Sequence, residues 1–301
     1  MSSAKTITLY LHPELRKGAE ARRMNIVNRI AAAVAPSGYE LAFRDDSRAN
    51  RLASVLDPGL SIFHREDPFH PRALTLRQVY HPPFWTLERS AKRWEWAVAQ
   101  SRFVPEKIDP DTAQSFCDRW RKRLFEGWEA KEQGHIYVPL QGRIREKRSF
   151  QSCSPIDMLK TVLSFSAGRP VVATLHPRES YSDEDKAALD ALSAPNLRIA
   201  AGEMARWLPG ARYVVTQNSS AAFNGYFFAK PAILFGQIDF HHIALNAAAL
   251  RAKAAFAQVE RHDPDYDRYL FWFWQRRAIN AGHATAEDRI LNAMRRGGWD
   301  L

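Results

Sequence analysis

Short apolar stretches alternate with amphipathic stretches along this chain, and this alternation restricts the fold more than any other feature. Apolar residues alternate with polar ones over 7–11, which predicts a first strand. A long helical pattern follows over 15–34, and a second strand is predicted at 39–43. A strand, a helix and a strand in this order indicate a parallel sheet. A third strand is expected at 60–63, after a turn.

The same alternation returns in the second half of the chain and predicts a second doubly wound α/β domain. Strands are predicted at 135–140, 170–175, 197–200, 213–216 and 232–235, and helices at 155–165, from 182 onward, at 203–208 and at 219–228. We therefore expect an α/β protein of two Rossmann-like domains facing a central cleft, with a helical C-terminal tail. The expected boundaries are 1–134, 135–265 and 266–301.

Residues 64–110 break the pattern, because prolines, histidines, arginines and tryptophans are mixed there. Long irregular segments inside compact domains are commonly functional or disordered, and the aromatic content argues against disorder. A helix is expected to begin near Glu88. A further helix is expected at 111–130, after Asp109 and Pro110.

The net charge of +10 on 301 residues favours a polyanionic partner: nucleic acid, anionic lipid or a phosphorylated substrate. The densest basic run lies at 143–148, and charge runs of this kind are commonly solvated surface, with a membrane or phosphate role as the alternative. Two cysteines without metal-ligand spacing fit a reducing cytoplasm. Neither a signal peptide nor an apolar run of membrane-spanning length is recognisable, so a cytoplasmic protein is expected.

Ligands of open α/β sheets bind beyond the carboxyl ends of the strands, so the residues following each strand are the candidates for function. His176 and Pro177 directly follow a predicted strand, and Glu179 comes three residues after the histidine. The imidazole can donate to a phosphate oxygen or take part in acid–base chemistry, and Glu179 can reach the same space. A purely structural turn at the strand end is the alternative.

A second candidate is the polar run Gln217, Asn218, Ser219 and Ser220, between a strand and a helix. Its backbone N–H groups and hydroxyls are suited to binding an anion. Simple capping of the helix by Asn218 or Ser219 is the alternative.

A third candidate follows the first strand of the second domain. Gln141 can recognise a base edge or a sugar hydroxyl there, and Arg143 can meet a phosphate. The alternative is an ordinary loop.

The aromatic and basic segment of the first half is the fourth candidate. His81, Trp85, Arg89 and Arg93 could bind a carbohydrate acceptor, and Glu88 could act as a general base. The alternative is a surface helix laid over the core by its tryptophans.

Other motifs are weak or missing. The acid–x–acid spacings at 109–111, 183–185 and 263–265 do not follow strands, and the adjacent His241 and His242 make a poor chelate, so no metal is expected. The chain contains neither a P-loop, nor a G-x-G-x-x-G fingerprint, nor a G-x-S-x-G elbow.

Several motifs taken in order resemble the capsule polysaccharide synthesis family. They are YVPLQ, SCSPIDMLKTVL, VVATLHPRES and YVVTQNSSAAFNGYFFAKPAILFG, and together they span roughly residues 135–245. The earlier HPPFWTLE is similar more loosely. Family members resemble GT-B glycosyltransferases, and characterised ones add Kdo from CMP-Kdo. The lysine that usually precedes the His-Pro motif is absent, since Thr174 and Leu175 stand there.

The resemblance implies a GT-B-like fold and a role for each part. Residues 1–134 would be the acceptor side, 135–265 the nucleotide-sugar donor domain, and 266–301 helices packing near the hinge. His176 and Pro177 match the motif that contacts the donor phosphate, and Gln141 matches a glutamine of the donor domain. The hydroxyl pair at 219–220 matches residues near that phosphate.

The function implied is a metal-independent glycosyltransferase for a bacterial capsule or surface polysaccharide. Its donor would be a CMP-sugar, and its acceptor a lipid-linked or polysaccharide glycan. No cofactor and no nucleic-acid partner are expected. A peripheral position on the anionic inner membrane would suit the basic charge. A transferase using a UDP- or GDP-sugar is one alternative, and a non-catalytic, polyanion-binding protein is the other.

Overall fold

The computed structural model describes residues 5–129 and 133–301, which form two compact units. Unit 1 consists of the chain up to Ser101 together with Phe273–Leu301, and unit 2 of Arg102–Trp272. The chain therefore leaves unit 1, builds unit 2 and returns. Each unit contains one six-stranded, mostly parallel sheet flanked by helices. The predicted α/β class with two Rossmann-like domains is confirmed.

The strands and helices follow each other closely along the chain. The strands are β1 (Lys5–Leu11), β2 (Tyr39–Asp45), β3 (Leu60–His64), β4 (Ala73–Gln78), β5 (Phe84–Glu88), β6 (His135–Pro139), β7 (Val171–Leu175), β8 (Leu197–Ala201), β9 (Ala211–Thr216), β10 (Ala232–Leu234), β11 (Leu245–Asn246) and β12 (Ile279–Asn280). The α-helices are α1 (Pro13–Glu20), α2 (Asn25–Val34), α3 (Arg48–Ala53), α4 (Pro110–Phe125), α5 (Pro155–Phe165), α6 (Asp183–Asp190), α7 (Met204–Trp207), α8 (Ser220–Tyr226), α9 (Ala247–Leu250), α10 (Ala252–Val259), α11 (Tyr266–Phe271) and α12 (Ala286–Arg296).

The sheet of unit 1 has the order β12-β5-β4-β3-β1-β2. The strands β1 to β4 are parallel, whereas β5 and β12 join as an antiparallel edge. The core on this sheet comes from the apolar residues of β1 and β3 and from the buried face of α2. The helical pattern of residues 15–34 is split into α1 and α2, because Arg22 adopts a left-handed conformation at φ 54°.

The aromatic segment holds a strand where a helix was expected. Residues Phe84–Glu88 form β5, with Phe84 and Leu87 buried and Trp85 partly buried. This strand pairs with β4 on one side and, at Phe84 and Trp85, with β12 on the other. The prediction of a helix beginning near Glu88 was wrong, since pairing with distant strands outweighs local preference.

All strands of unit 2 are parallel, in the order β11-β10-β9-β6-β7-β8. The central strands are almost entirely buried and rich in valine and alanine, as expected for a sheet covered on both faces. Helices α5 and α10 pack on one face of this sheet around Leu159, Val162 and Phe256. Ser154 caps α5 by accepting a hydrogen bond from the Asp157 amide at 3.1 Å.

The division of the chain differs from the predicted boundaries at 134 and 265. The helix α4 belongs to unit 2, where the Cys117 thiol donates to the carbonyl of Asp267 in α11 at 3.4 Å. The predicted tail is shared between the units, because α11 lies in unit 2 whereas α12 lies in unit 1. There the Arg29 guanidinium of α2 pairs with Glu287 of α12 at 2.6 Å.

Candidate functional site

The carboxyl ends of β6, β7 and β9 meet at one edge of the unit 2 sheet. Since β6 pairs in parallel with both β7 and β9, the residues following all three strands lie at the same edge. The Thr216 hydroxyl, at the end of β9, donates to the carbonyl of Pro139, at the end of β6, at 3.0 Å. The three polar candidates of the second half are therefore neighbours in space.

His176 is held in place by its own turn. Its backbone amide donates to the Tyr181 hydroxyl at 2.9 Å, and its ring Nδ1 accepts from the Arg178 amide at 3.2 Å. A neutral ring that accepts at Nδ1 carries its proton on Nε2. This Nε2 has no hydrogen-bond partner among the described residues. The half-buried ring therefore has a proton to donate, while the neighbouring Pro177 is exposed.

Glu179 lies over the backbone of Gly142. A Cβ atom added at Gly142 would lie 2.6 Å from the Cδ atom of Glu179. The loop after β6 and the loop after β7 touch at this point, and the glycine makes room for the carboxylate. Glu179 is exposed, so its carboxylate remains accessible to a substrate.

The run after β9 combines a buried amide with helix capping. Gln217 is 1% exposed, and its Nε2 donates to the Cys153 carbonyl at 3.0 Å. The Asn218 amide donates to the Gln237 carbonyl at 3.3 Å. The Ser219 hydroxyl caps α8 by accepting from the Ala221 amide at 3.2 Å, whereas Ser220 is exposed. Ser219 thus has the capping role that was its alternative interpretation.

Three glutamines at this edge keep a buried polar atom without a partner. The Oε1 atoms of Gln141 and Gln217 and the Nε2 atom of Gln151 are buried and unbonded within residues 5–129 and 133–301. Gln151 is 4% exposed, and its Oε1 accepts from the Arg148 amide at 2.8 Å. Buried polar groups are almost always paired, so three unpaired polar atoms at one edge of the sheet call for an explanation.

Arg148 adds an unpaired cation to the same loop. Its Nε and Nη2 atoms are buried and have no hydrogen-bond partner in the described part of the chain. Burial lowers the pKa of this guanidinium, as does the nearby Arg143, while Glu179 and Glu146 act in the opposite direction. The guanidinium carbon lies 4.8 Å from the centre of the Phe150 ring. This arrangement fits an anionic ligand, which would complete the unused hydrogen bonds.

Arg148 and Gln151 were not predicted as site residues from the sequence. The only signal was the basic run at 143–148, which also contains residues facing solvent. Arg143 is exposed, at φ 58°, and lies 3.7 Å from Glu146. Arg145 pairs with Asp185 at 2.9 Å. Only the fold distinguishes Arg148, which is half-buried, from the exposed arginines of this run.

In unit 1 the carboxylate of Glu88 is bonded to its own surroundings. Its Oε2 accepts from the Ala97 amide at 3.2 Å, and its Oε1 accepts from the Thr86 hydroxyl at 2.7 Å. These bonds tie the carboxylate to β5 and to the loop that follows it.

The four predicted acceptor residues also lie in unit 1. The guanidinium of Arg93 lies 4.6 Å from the Tyr80 ring and 4.5 Å from the Trp96 ring, and it donates to a carbonyl at 3.2 Å. His81 packs edge-on against Trp274 at 5.8 Å. Two further residues belong to the group: Trp85, partly buried in β5, and Arg89, exposed after it.

The two adjacent histidines of unit 2 bond to separate partners. The Nδ1 atom of His241 lies 2.8 Å from the Ile238 carbonyl, and that of His242 lies 3.0 Å from the Tyr269 hydroxyl. Within residues 5–129 and 133–301, no group of three or more His, Cys, Asp or Glu could hold a metal ion. The same residues contain no helix that is both long and apolar enough to cross a membrane.

Comparisons with known proteins bear on the fold. No family model and no curated protein matches the chain. Among solved structures, the chain is similar to KpsC of Thermosulfurimonas dismutans, a beta Kdo 2,7 transferase, with a TM-score of 0.51 and 13% identity over 96% of this chain and 99% of that one. A putative UDP-N-acetylglucosamine 2-epimerase of Listeria monocytogenes has a TM-score of 0.41 at 13% identity, covering 100% and 98%. MnaA of S. aureus, solved with UDP, has a TM-score of 0.40 at 12% identity, covering 98% and 96%. The resemblance to capsule polysaccharide synthesis proteins is thus confirmed at the level of the fold, which this chain shares with a Kdo transferase.

Proposed function

We propose that this chain is a glycosyltransferase that binds a nucleotide sugar at the carboxyl edge of the unit 2 sheet. The observation that carries the proposal is the set of buried, unpartnered polar atoms on Gln141, Arg148, Gln151 and Gln217. A bound nucleotide offers both kinds of group that these atoms lack. Its base presents donors and acceptors to the glutamines, and its phosphate accepts from the arginine.

The phosphate would lie against Arg148 and His176. When the bond between the sugar and the phosphate breaks, negative charge develops on the departing phosphate oxygen. The Nε2–H of His176, whose ring is held by its own turn, and the half-buried guanidinium of Arg148 stabilise that charge. These two groups stabilise the negative charge of the leaving phosphate, as a metal ion does in other transferases. The reaction is therefore metal-independent in this proposal.

Glu179 is the carboxylate best placed to accept the proton of the acceptor hydroxyl. It is exposed at the same edge and close enough to Arg148 to act on its pKa. Glu88, by contrast, already accepts two hydrogen bonds from its own unit. In the proposed reaction the acceptor oxygen bonds to the anomeric carbon, its proton passes to Glu179, and the nucleotide leaves with the bonding electrons.

The finer assignment follows the resemblance of the sequence motifs. The donor would be CMP-Kdo, and the acceptor a lipid-linked or polysaccharide glycan of a bacterial capsule or surface polysaccharide. The net charge of +10 would also hold the protein at an anionic membrane surface, where each basic residue near the lipid contributes about 1 kcal/mol.

The test is thermal unfolding with CMP, UDP and GDP, for the wild type and for His176→Ala. A ligand at 100 times its dissociation constant stabilises the folded protein by about 2.7 kcal/mol. We expect CMP to stabilise the wild type and to lose most of this effect in the variant. His283→Ala is a matched control, because this exposed histidine also accepts a backbone N–H two residues ahead, at 3.3 Å.

Stabilisation by UDP or GDP in place of CMP would reassign the donor and leave the reaction class intact. A chain that responds to none of the three nucleotides, but binds random DNA in a salt-dependent manner, would contradict the proposed function. The non-catalytic, polyanion-binding alternative would then hold.

A further inference from the structure

A charged cavity opens at the carboxyl edge of the sheet in unit 1, where the sequence indicated no site. Its volume is about 510 Å³. Its walls are formed by residues at or just beyond the ends of β1, β2 and β3, by the first turn of α1 and by β4. The lining residues are His12, Leu15, Asp46, His64, Arg65, Glu66 and Arg77.

His64 ends β3 and is held neutral in this cavity. Burial, together with the charges of Arg65, Arg77 and His12, lowers the pKa of its imidazole to about 4, although Asp46 acts in the opposite direction. The ring therefore carries no charge at neutral pH. It lies where the positive charge of two guanidinium groups outweighs one carboxylate.

Arg65 has a conformation that needs an explanation. Its φ of 69° lies in the left-handed region, which residues other than glycine rarely adopt, and its side chain is exposed. No carboxylate of the described residues lies at ion-pair distance from it. Strained backbone of this kind is concentrated at functional sites. The Arg77 guanidinium donates to the Arg65 carbonyl at 3.1 Å, which ties the two arginines together.

The two carboxylates of the cavity differ in their surroundings. Glu66 is neutralised by Arg51, which lies 2.9 Å away. Asp46 has no ion-pair partner among residues 5–129 and 133–301, so its oxygens can accept hydrogen bonds from a ligand. The cavity thus offers cationic donors on one side and one carboxylate acceptor on the other.

We propose that this cavity binds a sugar that carries one anionic group, a phosphate or a carboxylate. Arg65 binds the anionic group, Arg77 adds positive charge, and Asp46 accepts a hydrogen bond from a sugar hydroxyl. The proposal that this sugar belongs to the acceptor rests on the proposed function, whereas the binding itself does not.

The experiment follows the imidazole resonances of His64 by NMR in the full chain, assigned with His64→Gln. Glucose 6-phosphate and glucuronate are added separately at one ionic strength, with glucose as the neutral control. We expect one or both anions to shift the His64 resonance and to raise its pKa, because a bound anion offsets the charges of Arg65 and Arg77. A response to the phosphate alone or to the carboxylate alone identifies the anionic group. No shift with either anion, or an equal shift with glucose, would overturn the proposal.

Arg65→Asn removes the charge and keeps the fold, since asparagine tolerates a left-handed backbone. It should weaken anion binding by about tenfold or more, as expected for the loss of a charge-assisted hydrogen bond. Arg22→Asn is the matched control, because Arg22 is also an exposed arginine of unit 1 at positive φ, 54°, and does not line the cavity. Equal anion binding by both variants would refute the role of Arg65.

CMP binding separates this inference from the proposed function. It should persist in Arg65→Asn, whose substitution lies in unit 1. Anion binding without any nucleotide binding would leave the cavity assigned and the transferase proposal refuted. Nucleotide binding without anion binding would do the reverse.

Discussion

Because the amide oxygen of Gln141 is unpaired, replacing this residue should stabilise the ligand-free protein and at the same time weaken its ligand binding. This Oε1 atom is buried, and the side chain makes no hydrogen bond within the described part of the chain. A buried, unsatisfied polar atom costs about 1–3 kcal/mol. Gln141→Met keeps the side-chain length and removes the polar atom, so the ligand-free protein should gain about 1 kcal/mol.

The size of the two effects follows from the structure. For a unit of the size of Arg102–Trp272, 1 kcal/mol raises the Tm by about 2–4 °C. If the wild type is measured with CMP at 100 times its Kd, the ligand adds about 2.7 kcal/mol. A lost hydrogen bond of about 1.4 kcal/mol raises the Kd tenfold. The same CMP concentration then adds only about 1.4 kcal/mol.

Thermal unfolding with and without CMP measures both effects in one series. Gln258→Met is the matched control, because it makes the same change on an exposed side chain of α10 and should alter neither value. A lower Tm of the free variant, together with an unchanged response to CMP, would refute the view that the unpaired oxygen of Gln141 bonds to a nucleotide.

Two further predictions concern the loops around this site. Gly142→Ala should lower turnover by about tenfold or more while leaving the Tm nearly unchanged, because the new Cβ displaces the flexible side chain of the proposed base Glu179. Steady-state rates measured beside melting curves check this prediction. Turnover equal to that of the wild type would exclude Glu179 as the base. Ser154→Ala should cost about 1 kcal/mol at neutral pH, because the serine caps α5 and also donates to the Asp157 carboxylate at 2.7 Å. That hydrogen bond holds the pKa of Asp157 below its ordinary value, so its stabilisation is present above the ordinary value and lost as the pH falls through the lowered one. Urea unfolding at pH 7 and near pH 2 should therefore show a smaller difference between the two proteins in acid, and an equal difference would contradict the assignment.

Local features of the fold were predictable from the sequence. Helices begin after Asp109 and after Ser182, as predicted, and each of these residues caps its helix in the structure. The five strands predicted after 135 lie close to the positions of β6 to β10, because an all-parallel sheet needs continuous apolar runs.

The features that were missed depend on contacts between distant residues. Nothing local distinguishes the half-buried Arg148 from the exposed Arg143, since burial follows from the fold of the whole loop. The same holds for His64 and Arg65, which become a cavity wall only when β1, β2 and β3 lie side by side. Unit 1 also recruits β12 from nearly two hundred residues further along the chain, and no periodicity predicts such a pairing.

The return of the chain to unit 1 has a consequence for synthesis. A ribosome releases β1 to β5 first, then every strand of unit 2, and only afterwards β12 and α12. Unit 2 is continuous and can fold as soon as it emerges. During that time the outer backbone edge of β5 has no strand beside it, and such open edges favour pairing with other chains. Growing chains stalled between the two units should therefore aggregate more readily than the finished protein.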